Sequence, residues 1–333
     1  MRAGYRPACG LCAVALALAC ALPAARAADG AAASASGSTS TSTSTSTSTS
    51  VDTSGGIFFD DFSYAASADL ATGGWTMRTA DGHPGLPGGR FGVEAFALLD
   101  DPLQPGNRVL RLSARTDGSG AGTLQAQLCG QRKYLRGTYA ARIRFSDAPR
   151  SGARGDPVVE SFYAVAPLAH DFDPDFSEVD WEYLPNGGWG SPRQRLYGVS
   201  WQTVRLEPWE AHNAAHEEFG SFDGWHVLLM QVTRETVREF VDGRQVAAHA
   251  GRSVPVVPMA ISFNLWFAIG GALPVGGAPR VYDEDIDWVF HAREAVLDPA
   301  AVDAQVRALR AARVARTDSV PAADPPLAAR CDF

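Results

Sequence analysis

From Arg108 to Ala292 much of the sequence is written with a period of two. "RVLRLSART" (108–116) alternates apolar and polar residues, and "GTYAARIRFSD" (137–147) puts Tyr139, Ala141, Ile143 and Phe145 on one face. Successive side chains of an extended chain point to opposite sides, so such runs are strands with one face buried. "WHVLLMQVT" (225–233) and "TVREFVDG" (236–243) flank Arg234-Glu235, which predicts a hairpin, and Asp242-Gly243 supplies a second tight turn before "RQVAAHA". "VPMAISFNLWFAI" (257–269) is apolar without alternation and suits a strand buried on both faces. Gly and Pro punctuate the intervals, as in a sandwich or barrel. Order is expected from about Gly56 to residue 293. One helix follows: Asp298 can N-cap it, Pro299 suits its first position, and Ala300 to Val314 is rich in Ala, Leu and Arg. It reads as a frayed tail helix with no functional part.

The N-terminus reads as an export leader. Arg2 and Arg6 precede an apolar core from Leu11 to Leu22, and Ala25-Arg26-Ala27 offers a small-x-small cleavage site. That core is too short to span a bilayer. Residues 28–56 form a linker, in which Ser38 to Ser50 alternates Ser and Thr with nothing apolar to bury. The expected product is an extracellular or periplasmic monomer with its main domain over residues 57–293 and a helix and tail over 294–333.

The net charge of −8 becomes −11 when Arg2, Arg6 and Arg26 leave with the leader. That excess repels polyanions and argues against nucleic acid or an anionic membrane as partner. Three of the five cysteines lie in the leader, so Cys129 and Cys331 remain. In an oxidising compartment they can form a disulfide that ties the tail to the domain.

The stretch "DFDPDFSEVDWE" (171–182) admits two readings. Asp171, Asp173, Asp175 and Glu182 match positions 1, 3, 5 and 12 of a calcium loop. Such a loop needs Gly at its sixth position and flanking helices, whereas Phe176 and Pro174 stand here and a strand pattern follows. No metal ligand set is assigned and no cofactor is required, although another geometry leaves room for a structural calcium ion. In the second reading Glu178, Asp180 and Glu182 share one face of a strand, and Val179, Trp181 and Tyr183 face the core. Glu178 and Glu182 are then roughly 13 Å apart at Cα, and leaning side chains can approach the ~5–5.5 Å that a double-displacement glycosidase uses. Three crowded carboxyls hold a proton at neutral pH that isolated ones lose. A merely solvated acidic face is the alternative, and the triplet alone leaves both open.

The surroundings of the triplet carry a resemblance. "EVDWE" is similar to the Glu-x-Asp-x-Glu strand of glycoside hydrolase family 16, with Phe176 where that family usually places an aromatic. "KYLRGTYAARIRF" (133–145), "GWHVLLMQVTRETVREFVDG" (224–243), "PMAISFNLWF" (258–267) and "DIDWVFHA" (285–292) resemble the family's other strands, in its order. The resemblance implies a two-sheet antiparallel β-jelly-roll sandwich, concanavalin A-like, and a retaining endo-β-glycanase acting on a β-linked polysaccharide. A β-1,3- or mixed-linkage glucan is favoured over a galactan. Glu178 would be the nucleophile, Glu182 the acid and then the base, and Asp180 their tuner. Trp266 with Asn264, then Trp189, and beyond them Trp201, Trp209 and Phe176, would bind sugar. Trp181, Trp225 and Trp288 read as core, and His226 as a packed, hydrogen-bonded histidine. "LAHDFDPDFS" (168–177) departs from the family pattern, and the polar segment from Arg205 to Glu218 reads as a loop over the cleft rim. A transglycosylase on the same residues and a lectin-like glycan-binding module are the alternatives.

Overall fold

A computed structural model of the protein describes residues 53–102, 104–328 and 331. The leader and nearly all of the Ser/Thr-rich linker lie outside the described residues.

The alternating runs do form strands, in two antiparallel sheets packed face to face. The cleft sheet runs in the order Glu210–Phe219, Arg195–Arg205, Glu178–Leu184, Val158–Val165, Met259–Phe267, Leu124–Tyr134 and Thr76–Met77. The back sheet runs Arg244–Ala250, Thr236–Val241, Gly224–Val232, Gly137–Phe145 and Arg280–Arg293, and then continues along Arg108–Thr116 and Ile57–Asp60. The sheets join where Leu124 pairs with Arg115. The periodicity predicts an all-β sandwich or barrel, and the fold is the sandwich that the resemblance implies.

The core lies between the sheets. Tyr139, Ala141, Ile143 and Phe145 enter it from the back, and Phe162, Val179, Trp181, Tyr183 and Phe263 from the cleft sheet. Met259–Phe267 is buried at every position. Its Ile261, Phe263 and Leu265 join that core, while Trp266 belongs to a separate cluster on the cleft side. At the expected second turn Asp242 (φ 49°) and Gly243 (φ 81°) are both left-handed, as a two-residue hairpin turn requires.

Two expectations are corrected. The segment after Arg205 is not a loop: Glu210–Phe219 pairs with Arg195–Arg205 as an edge strand, with a bulge between Trp201 and Thr203 and a short turn joining the two strands. The helix, Pro299–Ala311, is not frayed. Asp298 caps it, accepting from the Ala301 amide at 2.8 Å. Its Val302 and Val306 pack on Phe59, Ala140, Leu229, Trp288 and Phe290, on the face of the back sheet turned away from the main core. Beyond it Arg316–Asp318 pairs with Ile57–Asp60, and Cys331 is disulfide-bonded to Cys129.

Candidate active site

Alternation along Glu178–Leu184 separates two chemistries. Val179, Trp181 and Tyr183 are fully buried in the core, which fixes the strand so that Glu178, Asp180 and Glu182 all point the other way. Neighbouring strands stand level with them: Val165, Tyr163 and Ser161 on one side, Trp201, Val199 and Tyr197 on the other. The three acids line a cleft together with Gln127, Asn264 and Trp266.

The first half of the acidic stretch has a different task. The Asp173 carboxylate accepts from the amides of Ala169 (3.1 Å) and Asp175 (2.9 Å), and Asp171 accepts from Leu206 N at 3.2 Å. These acids knit the approach loop into a fixed turn. Among the described residues no group of three or more His, Cys, Asp or Glu is arranged to hold a metal ion.

Burial dominates the electrostatics of the triplet. Glu178 and Asp180 are only 6 % and 4 % exposed. Loss of water pushes the Glu178 carboxyl well above its usual range, and the Glu182 charge adds to the effect. Asp180 is raised by burial and then by both glutamates, against which the Trp201 indole donates to its Oδ2 at 2.6 Å. Glu182, the least buried of the three, is raised by burial to about 7, with a hydrogen bond from Trp189 opposing the shift. The crowded carboxyls titrate as a unit and keep a proton near neutrality. Glu178 Oε2, Asp180 Oδ1 and Asn264 Oδ1 are buried with no hydrogen-bond partner among the described residues. Such atoms are costly unless a ligand or solvent meets them.

The aromatic residues split into walls and supports. Trp189, 47 % exposed, stands 5.9 Å from Trp266 at the Glu182 side. Trp201 lies level with Glu178, and Trp209, 56 % exposed, meets it edge-on at 6.2 Å. Phe176 is elsewhere: 2 % exposed, it packs with Tyr163, Val165 and Val204 and supports the floor rather than facing the cleft. Trp181 and Trp288 are buried, but Trp225 is half-buried beneath the Arg142 guanidinium, because it faces outward from the back sheet. His226 bonds through Nδ1 to Asp242 at 2.7 Å, away from the acids.

Sequence reasoning missed a polar chain on the cleft floor. Arg78 Nη1 donates to Gln127 Oε1 (2.7 Å), and Gln127 Nε2 donates to the Tyr163 hydroxyl (2.5 Å). Burial and, secondarily, the Glu178 charge push the Tyr163 hydroxyl above its usual range, so it stays protonated. The available signal was Gln125 and Gln127 alternating in "LQAQL", two amides inside an otherwise apolar strand.

No family model matches the chain, and no curated protein matches it by sequence. Solved structures do match. A Bacillus licheniformis beta-glucanase is similar with a TM-score of 0.50 and 18 % identity, over 72 % of this chain and 99 % of that one. A glycoside hydrolase family 16 protein of the Bacteroides ovatus mixed-linkage glucan system, in complex with its G4G4G3G product, gives 0.53 at 13 % identity, over 70 % and 98 %. LamA of Z. galactanivorans, as a variant in complex with laminaritriose and laminaritetraose, gives 0.51 at 13 % identity, over 72 % and 98 %. The fold of this chain is the jelly-roll sandwich of glycoside hydrolase family 16.

Proposed function

We propose that this chain is a family 16 glycoside hydrolase that cleaves a β-1,3- or mixed-linkage β-glucan within the chain, with retention of anomeric configuration. The observation that carries the reading is the triplet: three carboxyls on one strand face, two buried and Glu182 half-buried, at the wall of a cleft flanked by tryptophans, with Glu182 poised at about 7.

In the first step the shared proton of the coupled carboxyls rests on Glu182 and leaves Glu178 ionised; Glu178 attacks the anomeric carbon while Glu182 gives that proton to the departing glycosidic oxygen. In the second step Glu182, now a base, takes a proton from water, which displaces Glu178 and restores both residues. Asp180, held by the Trp201 indole, sits between them and limits where the shared proton resides. Trp266 and Trp189 offer faces for sugar stacking at the acid's side, and Asn264 offers a hydroxyl partner. The two carboxyls carry the chemistry without a cofactor.

The chain is also proposed to act outside the cell or in the periplasm. The Cys129–Cys331 disulfide supports that compartment, since such bonds persist where it is oxidising. Among the described residues no helix is long and apolar enough to cross a membrane.

The test is incubation with laminarin, lichenan, agarose and xyloglucan, following reducing ends and product sizes. New ends from a β-glucan, absent with Glu178→Gln, support hydrolysis. Chain lengths that redistribute without new ends indicate transfer to sugar instead, and binding with neither outcome sinks the enzyme reading.

A further inference from the structure

Trp189 stands on a backbone conformation that its residue type rarely adopts. The loop after the strand of the acids reads "NGGWGS" (186–191). Gly188 and Ser191 exchange two backbone hydrogen bonds of 2.9 Å, which leaves Trp189 and Gly190 as the tip of a two-residue turn. Both are left-handed, Trp189 at φ 46° and Gly190 at φ 80°. Such a tip favours Gly, Asn or Asp at both positions, and a large side chain there is strained. The surroundings hold the turn in place. The buried Arg195 donates from Nη2 to Gly188 O, Asn186 Nδ2 donates to Asp156 O (2.8 Å), and Arg154 Nε donates to Asn186 Oδ1 (2.9 Å). Strain kept by its neighbours points to a use for the side chain it aims.

That side chain has two partners. Its ring lies 5.9 Å from Trp266, and its indole N–H donates to the Glu182 carboxyl. Sugar stacking uses the ring face alone. The N–H does something else, because it meets the two forms of the carboxyl differently. A carboxylate accepts the bond strongly and a neutral acid weakly. The donor therefore favours ionised Glu182, against the burial that favours the neutral form. Glu178 and Asp180 face Glu182 from its own strand. Tyr197 stands level with it on Arg195–Arg205, with Arg195 over that ring, and Ser161 on the other side carries no charge. Arg195 is the one cation in this set, and its two Nη groups are engaged by Glu217 and Gly188.

We propose that Trp189 is a positioning residue for the acid, whose N–H meets the negative charge growing on Glu182 as the proton passes to the departing glycosidic oxygen. This rests on the glycoside hydrolase reading above. In the first step the O–H bond of Glu182 breaks, its electron pair stays on the carboxyl, and the indole bond strengthens with that charge. In the second step the carboxylate takes a proton from water and the indole bond weakens again. The donor thus assists formation of the glycosyl-enzyme and not its hydrolysis.

Trp189→Phe tests it, since it keeps a ring for stacking and removes the N–H. Trp189 is 47 % exposed, so the substitution leaves the core closed. Two substrates are compared: a β-glucan, whose sugar leaving group needs the acid's proton, and a dinitrophenyl β-glycoside of the same sugars, whose leaving group departs without one. At about pH 6 kcat/KM for the glucan is expected to fall about tenfold, mainly in kcat, and for the aryl glycoside less than about threefold. The alkaline limb of the glucan profile should move to higher pH, because Glu182 without the donor holds its proton more tightly. Trp189→Leu, which removes the ring as well, should add a rise in KM. An unmoved limb in Trp189→Phe, or equal losses on the two substrates, overturns the role. Failure of wild type to cleave any glucan or aryl glycoside overturns the hydrolase reading instead.

Discussion

Glu178 and Glu182 are the same residue type four positions apart, and their surroundings separate them. Glu178 is the deeper, while Glu182 is raised to about 7 and bonded by Trp189. Glu178→Gln is expected to lower kcat by roughly 10³-fold or more, because an amide cannot form the glycosyl ester. Calorimetry should show that glucan still binds. Glu182 must be protonated to act as the acid, so kcat/KM should fall about tenfold per pH unit above roughly pH 7. The same shift has a stability consequence with a definite sign. A carboxyl whose pKa is raised on folding binds its proton more tightly in the folded state, so it favours folding at low pH. That contribution is lost as pH rises from 4.5, its ordinary value, through about 7. Glu182→Gln should therefore raise the Tm at pH 8 more than at pH 5 while it removes activity. A Tm gain that is equal at both pH values would contradict the assigned shift.

At the scale of elements, the two corrected segments failed for opposite reasons. Glu210–Phe219 is an edge strand exposed over most of its length, so neither face needs apolar residues and no alternation is written into "EAHNAAHEEF". The helix did carry its pattern, with Val302 and Val306 one turn apart. What the helix sequence could not supply was the receiving surface, an apolar patch of Phe59, Leu229, Trp288 and Phe290 drawn from three distant strands. Val302→Ala with Val306→Ala should cost about 2–4 kcal/mol in denaturant unfolding. Activity per folded molecule should be unchanged, because the patch lies across the back sheet from the cleft. A loss of kcat at full folding would tie the helix to the site.

For the whole molecule, the disulfide closes a long covalent loop. Cys129 and Cys331 are 202 residues apart in sequence. The loop-entropy model assigns such a cross-link about 5 kcal/mol of stability, through restriction of the unfolded chain. Reduction, or Cys331→Ser, should lower the urea midpoint correspondingly, with little change in the slope attributable to the native state. Unchanged stability would mean that the tail is held by its other contacts alone. These include Lys133 Nζ on Asp318 at 2.7 Å and the pairing of Arg316–Asp318 with Ile57–Asp60.

The sequence alone determined an all-β domain, the strand of the acids and which of its faces is polar, because side-chain direction along a strand depends only on residue parity; the sandwich itself came from the family resemblance. It also supplied both hairpin turns and the capped helix start, which are local chemistry. Only the tertiary structure decided what depends on distance between remote segments. That includes the burial that lifts three carboxyls together, and the Arg78–Gln127–Tyr163 chain across the cleft floor. It also includes the burial of Phe176 and the approach of the His83 ring to Trp209. Parity tells a residue which side of its own strand to face. Which other strands stand opposite, and how closely their edges approach, is settled by packing the whole chain at once.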